Sequence, residues 1–146
     1  MLACEPSDSA FEVLIRAHYH YRSIVPRLNG YKSEIRLSLR WADGFRTSKV
    51  NISNDLFLDW ACILWNMGAL ESQLGAKIER SSEDGIKAAY KHFQQAAGYF
   101  DFILSQVLPK CAPNVLCGLS TVGLGMARDL MLAQAQLCFY EKVLLS

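Results

Sequence analysis

Residues 129–142, DLMLAQAQLCFYEK, constrain the fold more than any other stretch of this chain. Their spacing is helical, and they carry three apolar stripes at once. Leu132, Phe139 and Val143 mark the first, Leu130, Ala133 and Leu137 the second, and Met131, Ala135 and Cys138 the third. An ordinary surface helix has one apolar stripe and a polar back. This one is apolar on most of its circumference, with Gln134 and Gln136 in its middle. Something must cover the other faces.

The chain as a whole is also rich in apolar residues. It has 146 residues, 51% hydrophobic and 20% charged, which fits one folded domain with a real core. The net charge of +1 offers no bulk attraction to nucleic acid or an anionic membrane. No run approaches the ~18 apolar residues of a transmembrane span. MLACEPSDSA has neither the basic start nor the apolar run of a secretory signal. The five cysteines, Cys4, Cys62, Cys111, Cys117 and Cys138, are odd in number and match no zinc spacing. Cys62 and Cys138 lie inside apolar helical patterns, where a thiol acts as a small hydrophobe. The expectation is reduced thiols in a cytoplasmic protein, with a Cys111–Cys117 pairing left open.

Four helices and a strand pair follow from the pattern. Ser9 can cap a helix over 9–25 with Phe11, Leu14, Ile15, His18 and Val25 on one face, and Pro26 ends or kinks it. EIRLSLRW alternates, with Ile35, Leu37, Leu39 and Trp41 facing one way and Arg36, Ser38 and Arg40 the other. An Asp-Gly turn signal follows, and VNIS can return as a short strand. Residues 54–78 predict a long helix capped by Asn54 or Ser53, with Asp55 and Asp59 at its positive end. Its apolar positions are Leu56, Trp60, Ile63, Leu64, Met67, Leu70 and Leu74, while Gly68, Ala69, Gly75 and Ala76 allow close backbone approach. The third helix begins at SSED with Ser81 and Asp84 as a capping box, and Pro109 terminates it. PKCAPNVLCG is a linker, and a fourth helix runs from about Ser120 to the end.

No catalytic constellation is visible. His18 and His20, two apart, point to different helix faces and cannot chelate one metal. Gly118, Gly123 and Gly125 lack the Lys-Ser/Thr ending of a phosphate loop. Acidic residues form no convergent pair, and no cysteine has a histidine partner in a recognisable arrangement. The expectation is no enzyme, no metal and no cofactor.

Three stretches carry a resemblance. WACILWNMGALESQLGA (60–76), EDGIKAAYKHFQQAAGYFDFI (83–103) and above all LMLAQAQLCFYEK (130–142) resemble segments of one family in the same order, with LRWADGF in the strand. The family is the BRO-type domain, the boomerang-shaped helical domain of ALIX, the yeast vacuolar-sorting BRO protein and the HD-type phosphatase adaptors. The resemblance spans residues 9–146. It implies a mainly α fold, in which long antiparallel helices form a curved tetratricopeptide-like stack with a small strand pair near 34–53. On this reading residues 1–8 are a tail and 9–146 a partial domain. The fourth helix would be interior, with Gln134 and Gln136 needing partners on adjacent helices.

The resemblance also implies a function. The concave face of such domains receives the amphipathic C-terminal helix of an ESCRT-III subunit of the charged multivesicular body type, a helix-in-groove mode. The matching positions are Phe139 as apolar anchor with Lys142 beside it, and the stripe Glu83, Lys87 and Lys91 on the preceding helix. The alternative from the residues alone is core packing for Phe139 and a solvated charge stripe with a Glu83–Lys87 pair. The implied role is a cytoplasmic, non-catalytic adaptor of endosomal sorting, recruited to endosomes through its partners, without nucleic acid or a transmembrane segment. The competing role is a truncated or regulatory scaffold piece with no ESCRT-III binding of its own.

Overall fold

Helix α1 spans Asp8–Asn29, strands β1 and β2 span Leu39–Ala42 and Val50–Ser53, and helices α2, α3 and α4 span Leu56–Lys77, Glu83–Phe102 and Thr121–Leu145. These elements come from a computed structural model that describes residues 8–31, 34, 37–113 and 116–145. Cys4, Ile35, Arg36 and the first seven residues of the expected tail lie outside the described residues, as does the side chain of Phe11.

The helices form a row in sequence order. α1 packs on α2, α2 on α3, and α3 on α4. α2, flanked by α1 and α3, is the more apolar of the two inner helices: Leu56, Leu58, Trp60, Ala61, Cys62, Leu64, Met67 and Leu74 are all buried. α3 can come close because α2 carries glycine where they meet. A Cβ on Gly68 would stand 3.0 Å from the Phe100 ring, and one on Gly75 would stand 3.2 Å from that of Phe93. Ala76, expected to serve the same contact, is exposed.

Several boundaries differ from the sequence expectation. α1 begins at Asp8, so Ser9 sits inside its first turn, and the helix runs through Pro26 to Asn29. A proline this close to the end forfeits one hydrogen bond in a final turn that is already short of partners. The cap of α2 is Asp55, whose carboxylate accepts from the Phe57 N–H at 3.0 Å; Ser53 instead accepts from the Asp55 N–H. The cap of α3 is Ser82, accepting from Gly85 N–H at 3.2 Å, while Ser81 donates to Glu79. β1 is half the length that the alternation suggests. Its antiparallel partner pairs only Leu39–Ser53 through Ala42–Val50, so Leu37 and Ser38 have no ladder to join. Past Phe102 the chain widens into a π-helical turn, Ile103–Val107, before the 3₁₀ turn that holds Pro109.

Three buried carboxylates tie distant segments to this row. Asp59 on α2 accepts from the Tyr21 hydroxyl of α1 and, at 2.7 Å, from the Trp41 indole N–H of β1. Asp55 also accepts from Ala112 N–H at 2.7 Å, fixing the loop after α3 to the start of α2. Asp43, 1% exposed, accepts from Phe45, Arg46 and Gly118 N–H groups at 2.9, 3.0 and 3.2 Å. It thereby joins the hairpin loop to the 3₁₀ turn Cys117–Leu119 that leads into α4. The adjacent Gly44 is required for a different reason than turn geometry: a Cβ there would sit 2.6 Å from the Trp65 ring.

Burial alone would raise the Asp43 pKa, but its backbone N–H donors outweigh it and hold the carboxyl below the usual range. The stability that this ionised form supplies is therefore present above the unfolded value of about 3.9 and is lost as pH falls through the lower folded value. Asp43→Asn should remove about 2–4 kcal/mol at neutral pH, since its amide turns a donor toward N–H groups that need an acceptor. The loss relative to the parent should shrink below pH 4, as measured by denaturant titration at a series of pH values. An equal loss at pH 3 and pH 7 would contradict this account.

Candidate peptide-binding face of α3 and α4

α4 buries one of its three stripes. Met131, Ala135 and Cys138 join Leu124 and Ala127 against α3. The other two stripes are open: Leu132, Phe139 and Val143 are 48, 55 and 56% exposed, and Leu130 and Leu137 are 53 and 48% exposed. α4 is thus the edge of the row among the described residues, not its interior, and α3 is its one helical neighbour of substance. Among the described residues Gln136 is exposed and Gln134 half-buried.

At 3.6 residues per turn the open stripes fall on opposite sides of the α3 contact. The ion pairs show which side is which. Lys142 reaches Glu83 at 3.2 Å and Arg128 reaches Asp101 at 3.2 Å. Both cations border the Leu132–Phe139–Val143 side of α4, and both acids lie on the exposed face of α3. On the other side Arg80 pairs with Glu141 at 3.4 Å and donates to the Cys138 sulfur. Phe139 and the exposed face of α3 therefore share one open side of the row, and Leu130 and Leu137 lie on the other.

Of the five residues singled out from the sequence, Glu83, Lys87 and Lys142 come together. Glu83 Oε1 lies 3.0 Å from Lys87 Nζ and 3.2 Å from Lys142 Nζ. Hydrogen bonds from Lys87 and then Lys142 hold the Glu83 carboxyl below its ordinary pKa, and Glu83 raises that of Lys87. All three side chains are well exposed, so these pairs orient the face more than they stabilise the fold. Phe139 lies on the turn before Lys142 and is more than half exposed, so it is not packed in the core of the described residues. Lys91 continues the α3 stripe one turn further on and is exposed. An apolar strip bordered by fixed charges suits an amphipathic helix. Apolar surface of this extent is uncommon without a partner.

Sequence reasoning missed Asp43 and Asp59 as staples, reading one as a turn signal and the other as a dipole partner. A signal was available: LFLDWACILW places one carboxylate inside a run that is otherwise apolar, and a buried carboxylate needs donors. The described cysteines 62, 111, 117 and 138 are all free, so Cys111 and Cys117 are unpaired with each other. Burial pushes the Cys62 and Cys111 thiols up to about 12, which keeps them protonated and poor nucleophiles. Among the described residues no group of three or more His, Cys, Asp or Glu is placed to hold a metal, and no helix is long and apolar enough to cross a membrane.

A family model described as BRO1-like domain matches residues 2–146. The pH-response regulator protein RIM20 of Yarrowia lipolytica is 40% identical over 95 residues, which cover 65% of this chain and 12% of that protein. Human programmed cell death 6-interacting protein is 33% identical over 141 residues, covering 92% of this chain and 16% of that protein. Among solved structures, an ALIX BRO1–CHMP4C complex superposes with a TM-score of 0.83 at 31% identity, covering 94% of this chain and 41% of that one. The chain therefore spans less than a fifth of these two curated relatives and under half of that solved domain.

Proposed function

This chain belongs to the BRO1-like domain family, and from that premise we propose that it is a non-catalytic adaptor module whose α3–α4 face receives the amphipathic C-terminal helix of an ESCRT-III subunit. The observation that carries the proposal is the convergence on one open side of the exposed Phe139 stripe and the Glu83–Lys87–Lys142 cluster. The structural likeness to a BRO1 domain solved with CHMP4C supports the choice of partner. In this reading Phe139 fills the apolar seam of the incoming helix. Lys142, Lys87 and Lys91 meet its acidic side chains, and Glu83 keeps the two nearer lysines in place. The module works in the cytoplasm and reaches endosomal membranes through its partners, without a cofactor and without contacting nucleic acid.

A second reading, a scaffold piece with no ESCRT-III binding of its own, draws on the same charges. Glu83 already pairs with both Lys87 and Lys142, and Asp84 lies 3.9 Å from Lys87, leaving less for a partner to gain. Calorimetric titration of the chain with a synthetic CHMP4C C-terminal helix separates the two. The first reading expects saturable binding at a 1:1 ratio that weakens as salt rises, because charges frame the contact. A folded chain that gives no heat and no saturation at several hundred micromolar peptide supports the scaffold reading instead.

A further inference from the structure

A second recess opens on the same exposed face of α3, beyond Lys91. Gln95, Gly98, Tyr99 and Phe102 form its α3 wall, Leu64 of α2 its floor, and His18, Tyr19 and Arg22 of α1 the opposite wall. Its volume is about 280 Å³, just below the ~300–1,000 Å³ of small-molecule clefts. That suits one large side chain and is too small for a nucleotide.

Its chemistry is mixed in a particular way. Leu64, Phe102 and Tyr99 present apolar and aromatic surface. The Arg22 guanidinium lies 5.8 Å from the centre of the Phe102 ring, so it stands over the same aromatic surface. His18 is only 7% exposed, and its Nδ1 finds no hydrogen-bond partner among the described residues. Burial and the nearby Arg22 charge lower the His18 pKa, so the ring is neutral. The aromatic wall and the Arg22 guanidinium suit an aromatic ring accompanied by an anion.

We propose that this recess between α1 and α3 is a second anchor site, taking an aromatic side chain flanked by a carboxylate in a partner peptide. The ring lies against Phe102, Tyr99 and Leu64, and the carboxylate meets Arg22. The choice of a peptide rests on the docking reading above, because the recess is continuous along α3 with the Glu83, Lys87 and Lys91 stripe. Gln95 follows Lys91 by one helical turn, and Glu83 by 12 residues, or about 18 Å of helix. A single extended or helical ligand can engage both places.

Gly98 makes the test clean. A Cβ there meets nothing within 4 Å and Gly98 lines the recess, so Gly98→Leu starts unobstructed, places a side chain in the recess and removes an unfavourable helix glycine. The probe is acetyl-Glu-Phe-Glu-amide, followed through the Gly98 amide resonance of the ¹⁵N-labelled chain. Saturable shifts are expected, weakened at least tenfold by Arg22→Gln and for acetyl-Lys-Phe-Lys-amide. Gly98→Leu, read on other α3 and α1 amides, should abolish them while the chain melts no lower than the parent. The proposal is overturned if the probe gives no saturable shift, or if Gly98→Leu and Arg22→Gln bind it like the parent. Titration of the CHMP4C helix in parallel keeps the two readings apart. Probe binding without helix binding leaves the anchor site standing and removes the ESCRT-III assignment. Helix binding without probe binding does the reverse.

Discussion

Phe139→Asp should remove binding of the ESCRT-III helix, weakening it at least a hundredfold, while the helical circular dichroism and the melting midpoint stay within a degree or two of the parent. The reasoning starts from exposure. The ring is 55% accessible, so little packing is lost when it goes. An aspartate three residues before Lys142 even gains a local ion pair in the free chain. On binding, that carboxylate would have to sit under an apolar seam, and desolvating it costs several kcal/mol. A hundredfold loss is about 2.7 kcal/mol, well within that cost. Two companions sharpen the test. Phe139→Leu should retain most of the affinity. Leu137→Asp, on the opposite side of α4, should retain all of it. If Leu137→Asp abolishes binding and Phe139→Asp does not, the docking side has been assigned the wrong way round. If Phe139→Asp unfolds the chain, the residue is core after all.

Asp59→Ala should lower stability by about 2–4 kcal/mol, as much as the loss of the Asp43 carboxylate. One carboxylate accepts from both the Tyr21 hydroxyl and the Trp41 indole, and it is 8% exposed. Truncation strands two donors in a half-buried site, each costing about 1–3 kcal/mol less what water recovers. Burial and then the Asp59 hydrogen bond raise the Tyr21 pKa above its ordinary value, so at neutral pH the phenol is a donor. For a chain of this length the midpoint should fall by roughly 5–15 °C. Asp59→Asn keeps one accepting oxygen and should lose about half as much. Because Asp59 holds α1 and β1 to α2, the intrinsic fluorescence of Trp41 should shift before the helical signal is lost. A midpoint within 1 °C of the parent for Asp59→Ala would show that these bonds contribute nothing net.

How far the sequence could be read varies with the kind of interaction involved. Helix positions were legible because 3.6-residue periodicity records which side of each segment is buried, and α2, α3 and α4 lie where the pattern puts them. The caps of α2 and α3 were misplaced by one or two residues. Neighbouring Ser, Asn and Asp can all accept from a free N–H, and the choice depends on where the first turn settles. In α4 the three stripes were visible, but their equivalence was not resolvable. Only the packing of α3 singles out Met131, Ala135 and Cys138 as the covered one. The charge cluster was half legible. The Glu83–Lys87 spacing announces itself along α3, whereas Lys142 reaches Glu83 only because α4 returns antiparallel, which no local pattern encodes. The recess at His18 was not legible at all, since three helices contribute to it.

The row of helices also governs how the molecule comes apart. Among the described residues α4 meets little besides α3, the π-helical turn that follows α3 and the short turn before α4, so peeling it away leaves the α1–α2–α3 contacts standing. Its amides therefore have an opening route to solvent that does not require global unfolding, whereas those of α2, covered on both sides, do not. Local opening of that kind is a thermodynamic reserve. A ligand laid across α3 and α4 suppresses it, and part of the binding free energy then shows up as slowed exchange far from any contacting side chain. Affinity and rigidity at this edge are two readouts of the same equilibrium.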